Sequence, residues 1–339
     1  MSSSTLKPPA METIQQLLFA PYPSFALMAA CQLDVFTPLK DGALIAQELA
    51  EKLNVGVSKL RPLLYALVAA KLLTVNDEHF ANTEESGYYL VQGQPAYTGK
   101  RLNIAAKAWP AMLKTAESIR MGVGQAHQEF DFAMMPAENV EVLLRGFHAP
   151  ALATAKMLAN KFDFSARQNL LDVGGGSGDV SIALLETFPQ LHATIVEQVN
   201  VAPVTQRIVA ESSVVHRIRV VAANAVNDSL EGAYDCAILS AVIQLLSAEE
   251  AQRLLKNVAR VLNPGGAIYI IGWVLDDSRI TPREAATVNL LLINAYVDGQ
   301  AYTESEHRAW LTEAGFEDFA REILPSELSL VSARKRRDG

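Results

Sequence analysis

The chain has 339 residues, of which 50% are apolar and 19% are charged, and its formal net charge is −8. This length suggests two domains of roughly 150 residues each, and the apolar fraction is ample for globular cores. The acidic balance argues against a nucleic-acid partner, which usually requires a basic face. Cys31 and Cys236 lie far apart in apolar runs, which favours reduced, buried thiols and predicts a cytoplasmic protein.

The apolar run from Leu17 to Cys31 is interrupted by Pro21 and Pro23. It is too short to span a bilayer, so we expect no membrane partner and no signal peptide. The strongly apolar residues around Phe25 and Met28 exceed what a surface helix needs. They indicate burial against a second copy of the chain, which predicts a homodimer.

The first hundred residues predict a helix, a second helix and a β-hairpin, which is a winged-helix pattern. An amphipathic stretch covers 45–53, apolar residues recur at helical spacing over 57–68, and a polar turn at 76–78 separates two short strands. The presumed recognition helix carries only Lys59, Arg61 and Lys71, and two of these flank or end an apolar face. We therefore favour a dimerisation or lid role over DNA binding.

Residues 100–165 are predicted to be helical throughout, with one long helix from about Glu138 to Lys161 that bridges two halves. The predicted organisation is a dimerisation domain at 1–100, a helical bridge at 101–165 and a ligand-binding domain at 166–339.

Strands and helices alternate from Asn169 onward. Short apolar strands that alternate with helices predict an α/β fold with a parallel, doubly wound sheet covered on both faces. The last two runs are joined too closely for a parallel crossover, so they are expected to form an antiparallel pair. The predicted strands are 169–173, 193–197, 218–222, 236–240, 267–273, 316–323 and 327–333.

The stretch 169–179, NLLDVGGGSGD, combines a strand, a tight glycine turn and a helix start. Such a turn presents bare backbone N–H groups to a ligand, and glycine permits the close approach. Ligands of open α/β sheets lie beyond the carboxyl ends of the strands. Four polar residues fall at or just after successive strand ends and should line one crevice: Asp172, Glu197, Asn224 and Ser240.

Glu197 ends the second strand, 25 residues after Asp172, where a carboxylate can accept both hydroxyls of a ribose. The dinucleotide pattern G-x-G-x-x-G is not satisfied, because its third position falls on Asp179 or Ser181. Asp179 at the helix start also disfavours a pyrophosphate, whereas Asp172 can pair with a ligand ammonium. An amino-acid-bearing nucleoside therefore fits better than NAD.

These motifs, together with LNPGG at 262–266, resemble the S-adenosylmethionine-dependent small-molecule O-methyltransferases of the caffeate and hydroxyindole type. That family combines a Rossmann-like class I methyltransferase sheet with an N-terminal winged-helix dimerisation domain. The resemblance implies S-adenosylmethionine as cofactor, S-adenosylhomocysteine as product and a small-molecule acceptor.

The resemblance also implies roles for individual residues. Glu197 holds the ribose, Gln198 packs beside the adenine, and Asn224 stands where the family usually has an aspartate on the adenine amino group. Ala225 stands where the family often has a larger apolar residue, and Ser240 stands where the family usually contacts the carboxylate of the cofactor. The turn contributes Gly174, Gly175, Gly176 and Gly178 around the methionine part of the cofactor. The pocket for the methyl acceptor is expected to be lined by Asn103, Leu143 and Phe147 from the helical bridge at 101–165, and by Leu292 and Tyr296.

The chain departs from the family at the proton-transfer residues. Gln244 occupies the place of the catalytic histidine, and an amide cannot take a phenolic proton. Gly272 and Ala301 stand at the positions of the two glutamates that usually steer that histidine. His148, beside a predicted acceptor position, is the leading replacement base, although a locally bonded or solvent-facing histidine is the alternative. The histidines show no H-x-x-x-H pair, so no metal site is predicted.

These observations predict a methyltransferase that acts on a small, aromatic or polyketide-like metabolite by O-, C- or N-methylation. Because the sulfonium is already activated, an acidic or anionic acceptor can react without a strong base. Two alternatives remain. One is a non-methylating enzyme of the pericyclase or hydroxylase type that uses the bound sulfonium electrostatically. The other is a winged-helix regulator that senses a ligand.

Overall fold

The computed structural model describes residues 9–94, 96–132 and 134–337. Two compact units divide between Ala106 and Lys107. Among the described residues, no helix combines the length and the apolar character that a bilayer crossing requires.

The first unit has the predicted order of helix, helix and hairpin. Its small sheet has the order β1-β3-β2 with antiparallel pairing, and Leu49, Leu64, Leu67 and Phe80 are buried in its core. Its elements are α1 (Glu12–Phe19), α2 (Pro21–Leu33), β1 (Leu44–Ile45), α3 (Ala46–Leu53), α4 (Val57–Ala69), β2 (Leu73–Asn76), β3 (His79–Asn82) and α5 (Glu84–Tyr89).

Helix α1 is apolar but contributes nothing to that core. None of its residues is buried, and Ile14, Leu17 and Leu18 are each more than 60% exposed. A contiguous exposed apolar face is typical of an interaction surface, whereas apolar residues scattered singly over a surface are not.

The second unit begins within α6 (Gly99–Leu113) and carries a seven-stranded sheet. The helices before the sheet are α7 (Thr115–Met121), α8 (His127–Phe130), α9 (Ala137–Gly146) and α10 (His148–Lys161). The sheet and its covering helices are β4 (Asn169–Val173), α11 (Asp179–Thr187), β5 (His192–Glu197), α12 (Ala202–Val209), β6 (Ile218–Ala222), β7 (Tyr234–Ser240), α13 (Ala248–Val261), β8 (Leu262–Gly272), β9 (Val274–Leu275), α14 (Arg283–Ala295), β10 (Tyr302–Thr303), α15 (Glu304–Glu313), β11 (Phe316–Ile323) and β12 (Ser329–Lys335).

The main sheet has the order β11-β12-β8-β7-β4-β5-β6. Strands β4 to β8 pair in parallel, whereas β12 pairs antiparallel with both β8 and β11. The predicted doubly wound sheet and its antiparallel pair are therefore confirmed. The strand order reverses at β4 and β7, so the crevice beyond their carboxyl ends is the place where a ligand is expected.

The prediction of one helix from Glu138 to Lys161 is wrong. Helix α9 ends at Gly146, Phe147 adopts φ −92° and ψ 3°, and α10 begins at His148. In a continuous helix Pro150 would lack the N–H for the Gly146 carbonyl, and its ring would clash there. In the first turn of a new helix, the missing N–H costs nothing.

Strand β8 also begins earlier than the predicted strand 267–273. Strand β8 begins directly after α13, with Leu262 paired to Tyr234. The register then shifts before Ala267 pairs with Cys236, and Gly265 takes a positive φ of 76°. Pro264 and Gly265 therefore occupy an irregularity inside a longer strand.

Candidate cofactor and acceptor site

The glycine turn after β4 is crowded by the protein itself. A Cβ on Gly175 would lie 2.8 Å from the Asp172 carboxylate, and one on Gly174 would lie 2.7 Å from the Val242 side chain. Gly174 also has a φ of +66°, which disfavours other residues. Among the described residues, no acceptor takes the N–H groups of Gly175 and Ser177. These donors can therefore meet an anionic group of a ligand.

Glu197 closes one side of this turn. Its Oε1 accepts the Gly176 N–H at 2.7 Å, and its Oε2 accepts the Gln198 N–H at 3.0 Å. Burial raises the pKa of this carboxyl group, while the two backbone hydrogen bonds oppose the rise. Each carboxylate oxygen keeps a second lone pair, so Glu197 can still accept ribose hydroxyls.

Asp172 lies beneath the turn and is almost fully buried. Its Oδ2 accepts the Ser181 hydroxyl at 2.6 Å. Burial raises the pKa of Asp172 to about 6, although the Ser181 hydrogen bond works against the rise. A cationic ligand nearby would favour the ionised form and lower that pKa.

Asn224 uses its amide oxygen in its own turn. That oxygen accepts the N–H groups of Val226 and Asn227 at 3.0 and 3.3 Å, and the backbone N–H of Asn224 donates to Asp228. Its amide nitrogen is the group that remains for an adenine. Ala225, next in the chain, packs against the core on one face of the sheet.

Gln198 and Ser240 lie at the carboxyl ends of β5 and β7. Gln198 is exposed directly after β5, and Ser240 is half-buried at the end of β7. The residue after Ser240, Ala241, has a φ of 58°, which is strained for a residue with a Cβ. Its N–H donates to the Ile271 carbonyl at 2.7 Å, and this turn leads directly into the helical turn 243–245 that carries Gln244.

Gln244 is buried with 6% exposure and folds back onto the end of β8. Its Oε1 accepts the Trp273 N–H at 3.2 Å. A Cβ on Gly272 would lie only 2.3 Å from that oxygen. The Gln244 side chain therefore fills space that any side chain at position 272 would need.

The predicted acceptor positions lie on or directly after three helices. Leu292 is buried in a cluster with Leu275 and Ala301, and the half-buried Tyr296 packs against it. Burial raises the pKa of Tyr296 to about 12. On α9, Leu143 is half-buried, and Phe147 between α9 and α10 is exposed. The side chain of Asn103, on α6, lies outside the part of the chain that the structure describes.

His148 contacts the glycine turn through a carboxylate. Its Nδ1 lies 2.9 Å from Asp179 Oδ1, and the Ser177 hydroxyl donates to Asp179 Oδ2 at 2.5 Å. Asp179 is buried at the start of α11, whereas the His148 side chain is 58% exposed. The sequence had suggested His148 and Asp179 separately but gave no sign that they form a pair, because they lie 31 positions apart.

Sequence reasoning also missed two supports of the turn. Thr205, fully buried on α12, donates its hydroxyl to the Gly176 carbonyl at 2.6 Å, and Ser181 bonds Asp172. The contact between Ser181 and Asp172 could have been inferred from the sequence, because Ser181 lies in the first turn of the helix that follows the D-x-G-G-G motif. Nothing local marked Thr205, because it reaches the turn from another helix.

S-adenosylmethionine fits this site. The turn offers free N–H donors to a carboxylate, Glu197 offers acceptors to a ribose, and Asp172 and Asp179 place negative charge near a cationic ligand. No group of three potential metal ligands occurs among the residues that the structure describes.

Comparisons with known proteins identify two domains in this chain. The O-methyltransferase domain matches residues 118–317, and the O-methyltransferase dimerisation domain matches residues 15–92. The dimerisation match supports a homodimer.

Three individual proteins illustrate the similarity. The 3-hydroxy-5-methyl-1-naphthoate 3-O-methyltransferase of Streptomyces sahachiroi is 29% identical over 85% of this chain and 84% of its own length. The tetracenomycin polyketide synthesis 8-O-methyl transferase TcmO of Streptomyces glaucescens is 26% identical over 96% of both chains. Human N-acetylserotonin methyltransferase, solved in complex with S-adenosylmethionine, shares the fold with a TM-score of 0.85, at 23% identity over 99% of this chain and 100% of its own. The chain therefore belongs to the O-methyltransferase family and is an S-adenosylmethionine-dependent methyltransferase.

Proposed function

We propose that this enzyme methylates an acidic hydroxyl group on a small aromatic, polyketide-like metabolite, and that Gln244 donates a hydrogen bond to the acceptor oxygen. The acceptor class is supported by the two Streptomyces relatives, whose names specify a hydroxylated naphthoate and a tetracenomycin polyketide. The hydroxyl group is proposed to be acidic because the Gln244 amide cannot take its proton.

The observation that carries the proposal is the hydrogen bond from Trp273 to Gln244. A backbone N–H can only meet the amide oxygen, so Oε1 faces β8 and Nε2 faces away. No described residue accepts a hydrogen bond from Nε2. Position 244 therefore offers the acceptor a donor, where the family resemblance implies a base.

A donor at this place stabilises an oxyanion better than a neutral hydroxyl group, because hydrogen bonds to ionised oxygen are the stronger kind. S-adenosylmethionine supplies an electrophilic methyl group. Conjugation with a carbonyl group lowers the pKa of a hydroxyl group, so that a larger fraction of the acceptor gives its proton to solvent before it enters the site. The enzyme then has only to orient the oxygen and exclude water, for which the half-buried Tyr296 provides apolar surface.

The test is a series of hydroxylated naphthoates and anthraquinones whose hydroxyl pKa values differ, assayed at several pH values. We expect kcat/KM to follow the ionised fraction of each acceptor. Gln244→Leu should lower kcat/KM about 10- to 100-fold, the range for a lost hydrogen bond to a charged group. Gln252→Leu, on the helix α13, is the matched control and should leave it unchanged.

Three results would contradict the proposal. One is a pH profile that stays the same across acceptors of different acidity, because it would reveal a base on the enzyme. Another is full activity of Gln244→Leu. The last is conversion of an acceptor without methylated product, which would favour the alternative of a non-methylating enzyme.

We further propose that α1 forms part of the homodimer interface. The helix carries an apolar surface that its own unit does not bury, and it lies partly within the matched dimerisation domain, which begins at residue 15. Covering it with a second copy would remove this surface from water, at about 25 cal/mol for each Å².

A further inference from the structure

A network of His148, Asp179 and Ser177 borders the glycine turn but has no place in the methyl-transfer argument. Ser177 belongs to the turn itself, Asp179 begins α11, and His148 begins α10. Helices α10 and α11 share one buried core, which contains Ala155, Leu158, Val180 and Leu184. This packing holds the histidine at a fixed place beside the cofactor turn.

The hydrogen bonds determine the tautomer of His148. A carboxylate oxygen can only accept, so the proton that joins Nδ1 to Asp179 Oδ1 belongs to the ring. In the neutral imidazole the outer nitrogen, Nε2, then carries a lone pair and acts as an acceptor. No described residue donates to Nε2, and the side chain is more than half exposed. The site thus holds a fixed acceptor, supported by a buried negative charge.

We propose that His148 is a cofactor-binding residue whose Nε2 accepts a hydrogen bond from the α-ammonium group of S-adenosylmethionine, with Asp179 as the positioning residue that holds the ring. The neighbouring N–H groups of Gly175 and Ser177 suit the α-carboxylate of the same amino-acid end. Each charged group of that end would then meet a partner of complementary character.

The charges around the site favour the ammonium group as the partner of Nε2. The Asp179 carboxylate lies one hydrogen bond behind the ring, and its negative charge attracts a cation and repels a carboxylate. A general-base role for His148 would use the same tautomer. The two roles differ in what they require: a base must meet the acceptor, whereas the ammonium contact requires only the cofactor.

The experiment measures binding of three cofactor analogues by calorimetry, without any acceptor. S-adenosylhomocysteine has the ammonium and carboxylate groups, decarboxylated S-adenosylmethionine keeps only the amine, and 5′-methylthioadenosine has neither. We expect His148→Ala to weaken the first two about tenfold and to leave the third unchanged. His148→Gln, whose amide oxygen can replace the Nε2 acceptor, should recover part of the affinity.

Two further variants locate the effect. Asp179→Asn should weaken S-adenosylhomocysteine binding by a smaller factor, and the double variant should bind no worse than His148→Ala alone, because both changes act through one contact. His192→Ala is the control. It is an exposed histidine at the amino end of β5, at the opposite end of the sheet from the turn, and it should change no affinity.

Three outcomes would overturn the inference. Equal weakening of 5′-methylthioadenosine would mean that the substitution distorts the nucleoside site. Unchanged binding of decarboxylated S-adenosylmethionine would assign the contact to the carboxylate. Unchanged binding of every analogue would remove His148 from the cofactor site. None of these results depends on the identity of the acceptor, so failure here is separable from failure of the proposed function.

Discussion

Asp172→Asn should make the enzyme more stable at neutral pH. Burial raises the pKa of Asp172 from 3.8 to about 6, so the folded protein holds this proton more tightly than the unfolded chain does. The contribution of Asp172 to the free energy of unfolding is therefore complete below pH ~4 and is lost as pH rises to ~6. An asparagine stays neutral and can still accept the Ser181 hydroxyl, so it avoids that loss.

The magnitude follows from the pKa. A shift of about two units, at about 1.4 kcal/mol per unit, corresponds to roughly 3 kcal/mol. His307 changes stability in the opposite direction over the same pH range, because burial lowers its pKa to about 4 and favours the neutral ring. The pH dependence of the wild type alone is thus ambiguous. Both proteins contain His307, so its contribution cancels when the free energy of unfolding of the wild type is subtracted from that of the variant. The contribution of Asp172 remains.

The assay is urea denaturation at pH values from 4 to 8, without cofactor. The free energy of unfolding of Asp172→Asn, relative to the wild type, should rise between pH 4 and 6 and stay constant above pH 7. Ser181→Ala provides a second check: it removes the hydrogen bond that opposes the pKa rise, so the same pH-dependent loss should grow. A difference between Asp172→Asn and wild type that is independent of pH would refute the reasoning.

Two further predictions concern packing. Leu18→Glu on α1 should convert the dimer to monomer at micromolar concentration in sedimentation, because it places a charge on the proposed interface. Gln16→Glu, on the opposite face of the same helix, should not; a dimer in both variants would contradict the interface. Gly272→Ala should lower the free energy of unfolding by about 1–3 kcal/mol, because its Cβ meets Gln244 Oε1. The double variant Gly272→Ala/Gln244→Ala should recover most of this loss. If the changes in the free energy of unfolding of the two single variants simply add in the double variant, the clash is excluded.

Much of the fold was predictable because the strands are short, apolar and separated by helical periodicity. The strands at 169–173, 218–222 and 316–323 have the predicted bounds. The helix break at Phe147 was also readable in principle, since Gly146 precedes it and Pro150 follows. It was missed because apolar residues continue at helical spacing through the break and outweighed the proline.

The site was predictable in position but not in bonding. The family resemblance implies that Gln244 stands in the place of a histidine, but a sequence cannot show that its amide oxygen is occupied by the Trp273 N–H, which depends on where β8 ends. Asn224 is similar, because its oxygen caps its own turn and leaves the nitrogen outward. Side-chain orientation of this kind depends on contacts between residues that are distant in sequence.

Strand β12 has a consequence for how the protein is made. It follows β11 in sequence but lies between β11 and β8 in the sheet, so β11 cannot attach until β12 has been synthesised. Until then β8 is an open edge, and a ribosome-bound or truncated chain would expose a long apolar strand to other chains. The short connection, closed by a hydrogen bond from Leu324 to Leu328, lets β11 and β12 form a hairpin first and dock as one unit. Completion of the sheet is therefore a late step that chaperones would have to guard.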